Sequence, residues 1–194
     1  MKEELDKQLV EKYPKIFVNR YKPMTETAMC WGFDCGDGWY NIIDQLCGNI
    51  QHHIDWSVKN NQWDTKYNSM IDKALAGDIT DLEEYYKGYM DAEERMKETL
   101  EKGLTKIRPV IPQVTADQVK EKFGTLRFYV TGGDDYIHGL ISMAESMSAV
   151  TCEECGAPGK NRGGGWVRTL CDHHEEAYQE RLRQREMKAS GLEE

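Results

Sequence analysis

Two short pairs of metal-binding residue types lie near the C-terminus. Two residues separate Cys152 from Cys155, and fifteen more lie between Cys155 and the sequence CDHH that begins at Cys171. Thiolate and imidazole groups in such pairs bind Zn²⁺ tetrahedrally, and a glycine after the first pair permits a tight turn. The predicted ligands are Cys152, Cys155, Cys171 and His174. His174 is preferred over His173 because Cys-x-x-His repeats the first gap, although spacing alone leaves both open.

The predicted metal site is closed. Four protein ligands complete the coordination shell of one Zn²⁺ ion and leave no position for water, so this zinc is expected to be structural rather than catalytic. The alternative is a set of buried free thiols with surface histidines. If zinc is bound, a chelator should unfold at least residues 150–175, because a ribbon of this size has no core of its own.

Basic and aromatic residues accompany the predicted metal site. They are Lys120, Lys122, Arg127, Lys160, Arg162 and Trp166. Such side chains contact phosphates and stack on bases, so they form a candidate nucleic-acid or nucleotide surface if they share one face. The loop between the ligand pairs also holds three glycines at 163–165. Its other interpretation is a solvated ribbon loop whose Trp166 covers the metal.

The segment 30–40 is dense in glycine, cysteine and aromatic residues. Its candidate binding residues are Trp31, Asp34, Cys35, Asp37 and Trp39. One interpretation is a tight turn in which Asp37 caps the following helix. Another is a pocket with Cys35 as a nucleophile, which would need His52 or His53 as its base. A second metal at Cys30 and Cys35 is a further alternative, and catalytic residues stay unassigned.

The elements that must position these residues follow from apolar periodicity. Helices are predicted near residues 5–13, 38–54, 63–74, 79–104, 137–147 and 175–194. Gly77 is expected to end the third, and Asp134 or Asp135 to cap the fifth. Two half-buried strands, near 119–123 and 126–130, meet at Gly124. The sequence therefore predicts an α+β fold, with helices packed on a small antiparallel sheet and a C-terminal zinc ribbon.

The motifs suggest three consecutive modules. Residues 1–149 form a core domain that includes an acidic, variable helical insertion at 72–104. Residues 150–176 form the zinc module, and 177–194 form a helix and tail. Residues 72–101 carry ten acidic and four basic side chains. This charge run indicates a solvated helix face or a surface for a basic partner.

Composition narrows the function classes. The chain has 25 Lys and Arg against 34 Asp and Glu, a formal charge of −9. This excess of acid argues against a mainly electrostatic nucleic-acid binder. No apolar run reaches the roughly 20 residues of a membrane helix, and the first residues show no secretory pattern, so a cytoplasmic protein without membrane partners is expected. In that compartment the six cysteines are expected to be thiols or metal ligands.

Three motifs together resemble a known group of proteins. They are WGFxCGDGW at 31–39, KEKFGTLRFY at 120–129, and CExCGxPG at 152–159 with TLCDxH at 169–174. The combination is similar to small proteins encoded by bacteriophages and prophages, most of which have no assigned function. The resemblance supports His174 as the ligand and implies a host bacterial cytoplasm.

Three functions are compatible with these observations. The first is an accessory protein that binds a host protein, with inhibition of a host defence protein as one form. The second is a nucleic-acid or nucleotide binder that uses the basic face of the ribbon. The third is an enzyme with a pocket at Asp34, Cys35 and Asp37.

Overall fold

The computed structural model describes residues 1–163 and 166–189. Six α-helices are present in this part of the chain: α1 (Glu3–Lys12), α2 (Tyr40–Leu75), α3 (Thr80–Tyr86), α4 (Ala92–Lys102), α5 (Asp135–Ser148) and α6 (Asp172–Ala189). Its strands are β1 (Phe33–Asp34), β2 (Thr115–Lys122), β3 (Thr125–Thr131), β4 (Lys160–Arg162) and β5 (Arg168–Leu170). Short 3₁₀ turns cover Ala28–Trp31 and Asp37–Trp39. The α+β class is confirmed.

The chain packs as two compact units. Unit 1 contains Met1–His52 and the chain from Pro112 onward, whereas unit 2 contains His53–Ile111. Helix α2 begins in the first unit and ends in the second. The division into modules at residues 149 and 176 follows motifs rather than packing, and it stays a prediction.

The main sheet of unit 1 is mixed rather than wholly antiparallel as predicted. Strand β2 pairs antiparallel with β3, but β1 pairs parallel with β2 and places Phe33 beside Val119. A parallel pair needs a long crossover connection. The chain between β1 and β2 provides it, since it includes three helices. The sheet thereby joins the segment before α2 to the strands that precede the predicted metal site.

The turn between β2 and β3 begins one residue earlier than predicted. Phe123 and Gly124 both have positive φ, 55° and 78°, which suits a two-residue hairpin turn. Phe123 was predicted to be the last residue of the first strand, but it lies in the turn, where its side chain is 71% exposed. The carboxylate of Glu121 accepts a hydrogen bond from the backbone N–H of Gly124 at 2.5 Å and closes the turn.

Helix α5 covers the outer edge of β3. Ser148 Oγ accepts from the N–H of Leu126 at 2.8 Å, and Glu145 Oε1 accepts from the N–H of Phe128 at 3.0 Å. An edge strand otherwise presents unpaired N–H groups. The helix begins where predicted, because Asp134 accepts from the N–H of Ile137 at 3.0 Å. Its C-terminal end then delivers the chain to the first cysteine pair.

Two predicted helix boundaries were wrong. The predicted helices 38–54 and 63–74 are one continuous helix, α2, because no glycine or proline between them ends it. The predicted single helix 79–104 is instead two helices, α3 and α4, separated by a turn in which Gly88 has a φ of 93°. Gly77, at φ 101°, follows α2 as predicted.

Within unit 2, a buried carboxylate links α2 to the segment that follows α4. Asp64 on α2 accepts hydrogen bonds from Arg108: Nε at 2.8 Å, Nη2 at 2.7 Å and the backbone N–H at 2.9 Å. The hydrogen bonds from the Arg108 side chain, then from its backbone, lower the pKa of Asp64 to about 2. The unfolded chain binds this proton at a higher pH, near 3.9.

The stabilisation from Asp64 should therefore be pH-dependent. It is present above about pH 4 and is lost as the pH falls towards 2, because a depressed folded-state pKa favours folding only while the carboxylate is ionised. The variant Asp64→Asn should lose less stability than the parent chain over this range, as measured by hydrogen exchange of α4. Asp72→Asn, an exposed carboxylate on the same helix, is the control. Equal pH dependence in all three proteins would contradict the prediction.

Candidate metal centre

Four side chains converge near the C-terminal end of unit 1. The ligand atoms of Cys152, Cys155, Cys171 and His174 all lie within 4.8 Å of one another. The Nδ1 atom of His174 is 3.6 Å from Cys152 Sγ and 3.2 Å from Cys171 Sγ, and 3.9 Å separates the sulfurs of Cys155 and Cys171. These four side chains lie close enough to bind a metal ion. The ring of His173 is edge-on to that of His174, with its centroid 5.1 Å away, and does not belong to the group.

A turn, a hairpin and a helix supply the ligands. The first pair lies on a knuckle, residues 151–159, in which the N–H of Gly156 donates to the carbonyl of Cys152 at 2.8 Å. Strands β4 and β5 then form an antiparallel hairpin. Cys171 directly follows β5, and His174 lies in the first turn of α6. The second pair thus begins a helix, which the ribbon prediction did not include.

The environment of Cys152 favours its metal-binding form. Burial raises the pKa of this thiol, but backbone N–H groups of Cys171, Cys155 and Glu154 bond to its sulfur, and together these bonds bring the pKa below its usual value. A metal ligand must be a thiolate rather than a thiol. The knuckle therefore prepares this sulfur for coordination.

The glycines of the N-terminal motif dock against the knuckle. The N–H of Gly36 donates to Glu153 Oε1 at 3.0 Å, and the N–H of Gly38 donates to the Glu153 carbonyl at 2.8 Å. A Cβ at Gly38 would lie less than 3.0 Å from the Cys152 carbonyl oxygen, and one at Gly36 would overlap the backbone of Glu153. Two backbones can approach this closely only where no side chain intervenes. This contact accounts for both glycines.

Trp39 adds a further contact between the N-terminal motif and the knuckle. Its side chain is fully buried, and Nε1 donates to the carbonyl of Thr151 at 2.9 Å. A buried indole normally needs such a partner for its N–H group. Of the two interpretations of segment 30–40, the tight turn therefore describes Trp39 and the two glycines.

Two residues of the candidate enzyme pocket, Asp37 and Cys35, are respectively ion-paired with Lys2 and buried. Asp37 accepts from the N–H of Lys2 at 2.7 Å and forms an ion pair with its ammonium group at 3.0 Å, so it does not cap α2 as predicted. Burial raises the pKa of Cys35 to about 12. A thiol with this pKa is protonated near neutral pH and is a poor nucleophile.

The other candidates from this segment are at the surface or outside the metal cluster. The side chain of Trp31 is 69% exposed, and Asp34 is exposed on β1. Within residues 1–163 and 166–189, the metal-binding geometry is confined to the cluster around Cys152, so the alternative of a second metal at Cys30 and Cys35 was wrong.

The basic candidates form two sets, one beside the metal cluster and one on the sheet. Lys160 and Arg162 both bind Asp172, at 3.2 Å and 2.5 Å, so a carboxylate already neutralises part of their charge. On the sheet, Lys120 and Arg127 are direct cross-strand partners, and Lys122 shares their face because side chains alternate along a strand.

Trp166, in the loop between the two ligand pairs, lines a pocket to which none of these basic residues belongs. Its side chain is 67% exposed and lines this pocket with Glu153, Arg168 and Tyr178. Of the predicted glycine run, Gly163 is described, whereas 164–165 lie outside the described residues. Asp34 and Cys35, from the candidate pocket in segment 30–40, also line it, whereas sequence reasoning missed Glu121, Glu153 and Tyr178. The only signal for Glu153 was an acidic residue placed between two metal ligands.

Comparison with known proteins found no relative. No protein-family model, curated protein or solved structure matches this chain. In the described part of the chain, no helix is both long enough and apolar enough to span a membrane.

Proposed function

We propose that the cluster of Cys152, Cys155, Cys171 and His174 holds one structural Zn²⁺ ion. Zinc–sulfur bonds of about 2.3 Å and zinc–nitrogen bonds of about 2.0 Å, at tetrahedral angles, put the ligand atoms roughly 3.5–3.8 Å apart. The separations of 3.9 Å between two sulfurs and 3.6 Å between Cys152 Sγ and Nδ1 are close to these values, and that of 3.2 Å between Cys171 Sγ and Nδ1 is shorter. Three thiolates and one imidazole bind zinc in preference to cations that favour oxygen ligands.

The purified protein should contain about one equivalent of zinc per chain. Co²⁺ exchanged into the site should give the visible absorption of a tetrahedral centre with thiolate ligands. Elemental analysis and absorption spectroscopy measure the two properties. A zinc content below about half an equivalent, or a cobalt spectrum typical of six oxygen ligands, would overturn the assignment.

We further propose that this chain is a zinc-stabilised accessory protein that binds a host protein in a bacterial cytoplasm. The observation that carries this proposal is an exposed aromatic surface on unit 2. Trp63 and Tyr85 are 41% and 37% exposed, their ring centroids are 5.6 Å apart, and both line a groove of about 740 Å³. Tyr89 nearby is 52% exposed. Aromatic residues are enriched at protein interfaces, where they bury large areas at low entropic cost.

Charge favours a basic protein as the partner. Residues 72–101 carry ten acidic and four basic side chains. The groove itself is balanced, since Lys66 and Lys73 line it together with Asp81 and Glu84, so the excess of acid lies in the segment around it. Opposite charges across an interface accelerate association and select partners. The resemblance of the motifs to phage-encoded proteins is the reason for expecting a host protein, including one that acts in defence.

The zinc-loaded chain should retain one bacterial protein that survives nuclease treatment and binds again as a purified protein. Trp63→Ala should weaken this binding at least about 10-fold, because central aromatic residues dominate interface energies. Trp31→Ala removes an indole from unit 1 that is even more exposed, at 69%, and is the matched control. Equal affinity of both variants and the parent chain would contradict the proposed surface.

The same experiment tests the nucleic-acid alternative. Capture that nuclease abolishes, that weakens steeply with salt and that needs Lys120 and Lys122 would replace protein binding by nucleic-acid binding. Lys160 and Arg162 already form ion pairs with Asp172, which makes this alternative the weaker one.

A further inference from the structure

A polar pocket of about 630 Å³ lies in unit 1, beside the knuckle but apart from the metal-binding atoms. Its walls combine carboxylates with aromatic rings and one guanidinium group: Asp34, Glu121, Glu153, Trp166, Arg168 and Tyr178. The pocket belongs to unit 1, whereas the proposed partner surface belongs to unit 2. A ligand for this pocket is therefore independent of the proposed function.

Glu153 is the unusual member of the pocket. Its side chain is only 6% exposed, and Oε1 accepts from the N–H of Gly36 at 3.0 Å. Oε2 has no hydrogen-bond partner among the described residues. Arg168 Nη2 forms an ion pair with this oxygen at 3.6 Å, which is longer than a hydrogen bond. A buried carboxylate oxygen without a hydrogen bond is costly in free energy, and native structures normally supply a partner.

The existing cations of the pocket are already engaged. Arg168 donates to Glu154 at 2.7 Å, and its guanidinium carbon lies 5.4 Å from the ring centroid of Tyr178. The amino group of Met1 donates to the carbonyls of Phe33 and Cys35. The three carboxylates on the walls outnumber these two cationic groups, one of which is shared with Glu154, so the pocket keeps a net negative charge.

We propose that this pocket binds an organic cation, a protonated amine or a guanidinium group carried on an apolar stem. Oε2 of Glu153 has less than 1 Å² of exposed surface, so the carboxylate must turn towards the pocket to accept a hydrogen bond from the charged group. Such a charge-assisted bond is stronger in a buried site than in water. Trp166 and Tyr178 provide aromatic surfaces for the stem and for cation–π contact. Two sources have this chemistry: a basic side chain of a peptide, and a free alkyl amine.

The test uses the full zinc-loaded chain and two probes. n-Butylammonium represents the free amine, and N-acetylarginine amide represents a basic side chain. Each probe should cause saturable shifts of the Trp166 indole and Gly36 amide signals in NMR spectra, with affinity that falls as salt rises. The probe that binds more tightly identifies the source. Neutral n-butanol, which has the same stem without the charge, should not saturate.

Variants decide whether Glu153 is the anchor. Glu153→Gln should weaken binding on the order of 10-fold, since it replaces a charged acceptor by a neutral one. Trp166→Ala should weaken it several-fold, whereas Glu176→Gln, an exposed charge change on α6, should leave it unchanged. If Glu153→Gln fails to fold, Asp34→Asn together with Trp166→Ala carries the test, because both side chains are exposed.

Three results would overturn the proposal. One is the absence of saturable shifts for both probes up to about 50 mM, a concentration that would detect even a weak specific complex. Another is equal affinity of the folded pocket variants and the parent chain. The third is binding of n-butanol as strong as that of n-butylammonium. None of these results bears on capture of a partner by unit 2, so the two proposals fail separately.

Discussion

His174→Asn is expected to abolish stoichiometric zinc binding and to destabilise unit 1 by at least about 4 kcal/mol. The Nδ1 atom of His174 lies 3.6 Å from Cys152 Sγ and 3.2 Å from Cys171 Sγ, where it completes a closed set of four ligands. Structural zinc sites supply folding free energy directly, because the site does not exist in the unfolded chain. Zinc content and thermal unfolding of the variant measure both effects.

His173→Asn is the matched control for this experiment. It makes the same substitution at the neighbouring position, whose ring lies outside the ligand group, and it should retain zinc and stability. If the two variants behave alike, or if His173→Asn alone loses zinc, the ligand assignment is wrong.

Loss of the metal should also reach the N-terminal motif. Hydrogen exchange should accelerate at 150–175 and at 33–39 together, because the N–H groups of Gly36 and Gly38 are bonded to Glu153 on the knuckle. A chelator should produce the same pattern in the parent chain. Faster exchange confined to 150–175 would show that the contact between the N-terminal motif and the knuckle persists without the metal.

Gly38→Ala is expected to destabilise unit 1 by about 3 kcal/mol or more, even though it adds a single methyl group. The new Cβ would lie less than 3.0 Å from the Cys152 carbonyl oxygen and from the backbone nitrogens of Cys155 and Gly156. All three atoms are backbone, so relief requires separation of the turn from the knuckle. Denaturant unfolding and the rate of zinc release to a chelator should both report the change.

Gly139→Ala provides the opposite expectation within the same unit. Gly139 lies inside α5, and nothing within 4 Å would meet its Cβ. Alanine at such a helical position should stabilise the protein by roughly 0.5–1 kcal/mol. If both glycine variants change stability in the same direction and by similar amounts, close backbone approach at Gly38 is not the reason for its identity.

Local sequence patterns predicted several parts of this structure. The α+β class, the β2–β3 hairpin and the cap at Asp134 all followed from periodicity and from residue types whose preferences act over a few residues. The three cysteines of the metal cluster could also be chosen from spacing, which left only His173 and His174 as the fourth ligand. Each ligand pair is a local feature, and the soft donor atoms of cysteine and histidine restrict what such pairs can do.

Local patterns predicted the wrong helix boundaries where two arrangements of helices were compatible with the same apolar spacing. The polar stretch between residues 54 and 63 contains no helix breaker, so α2 runs through it, whereas periodicity alone suggested two helices. In the acidic segment, one apolar face was compatible with a single helix. The chain instead turns at Gly88, and Met96 and Leu100 of α4 pack against the cluster that contains Leu82 and Met70.

The sequence by itself determined three cysteine ligands and restricted the fourth ligand to His173 or His174. Only the tertiary structure placed His174 in the cluster and decided what the glycine-rich motif at 31–39 does. Its turn and pocket interpretations were both open, because glycine serves either. The choice depended on a contact between Gly36 and Glu153, which are 117 positions apart. Such a contact leaves no trace in local periodicity, since it is set by how distant segments pack once the chain is folded.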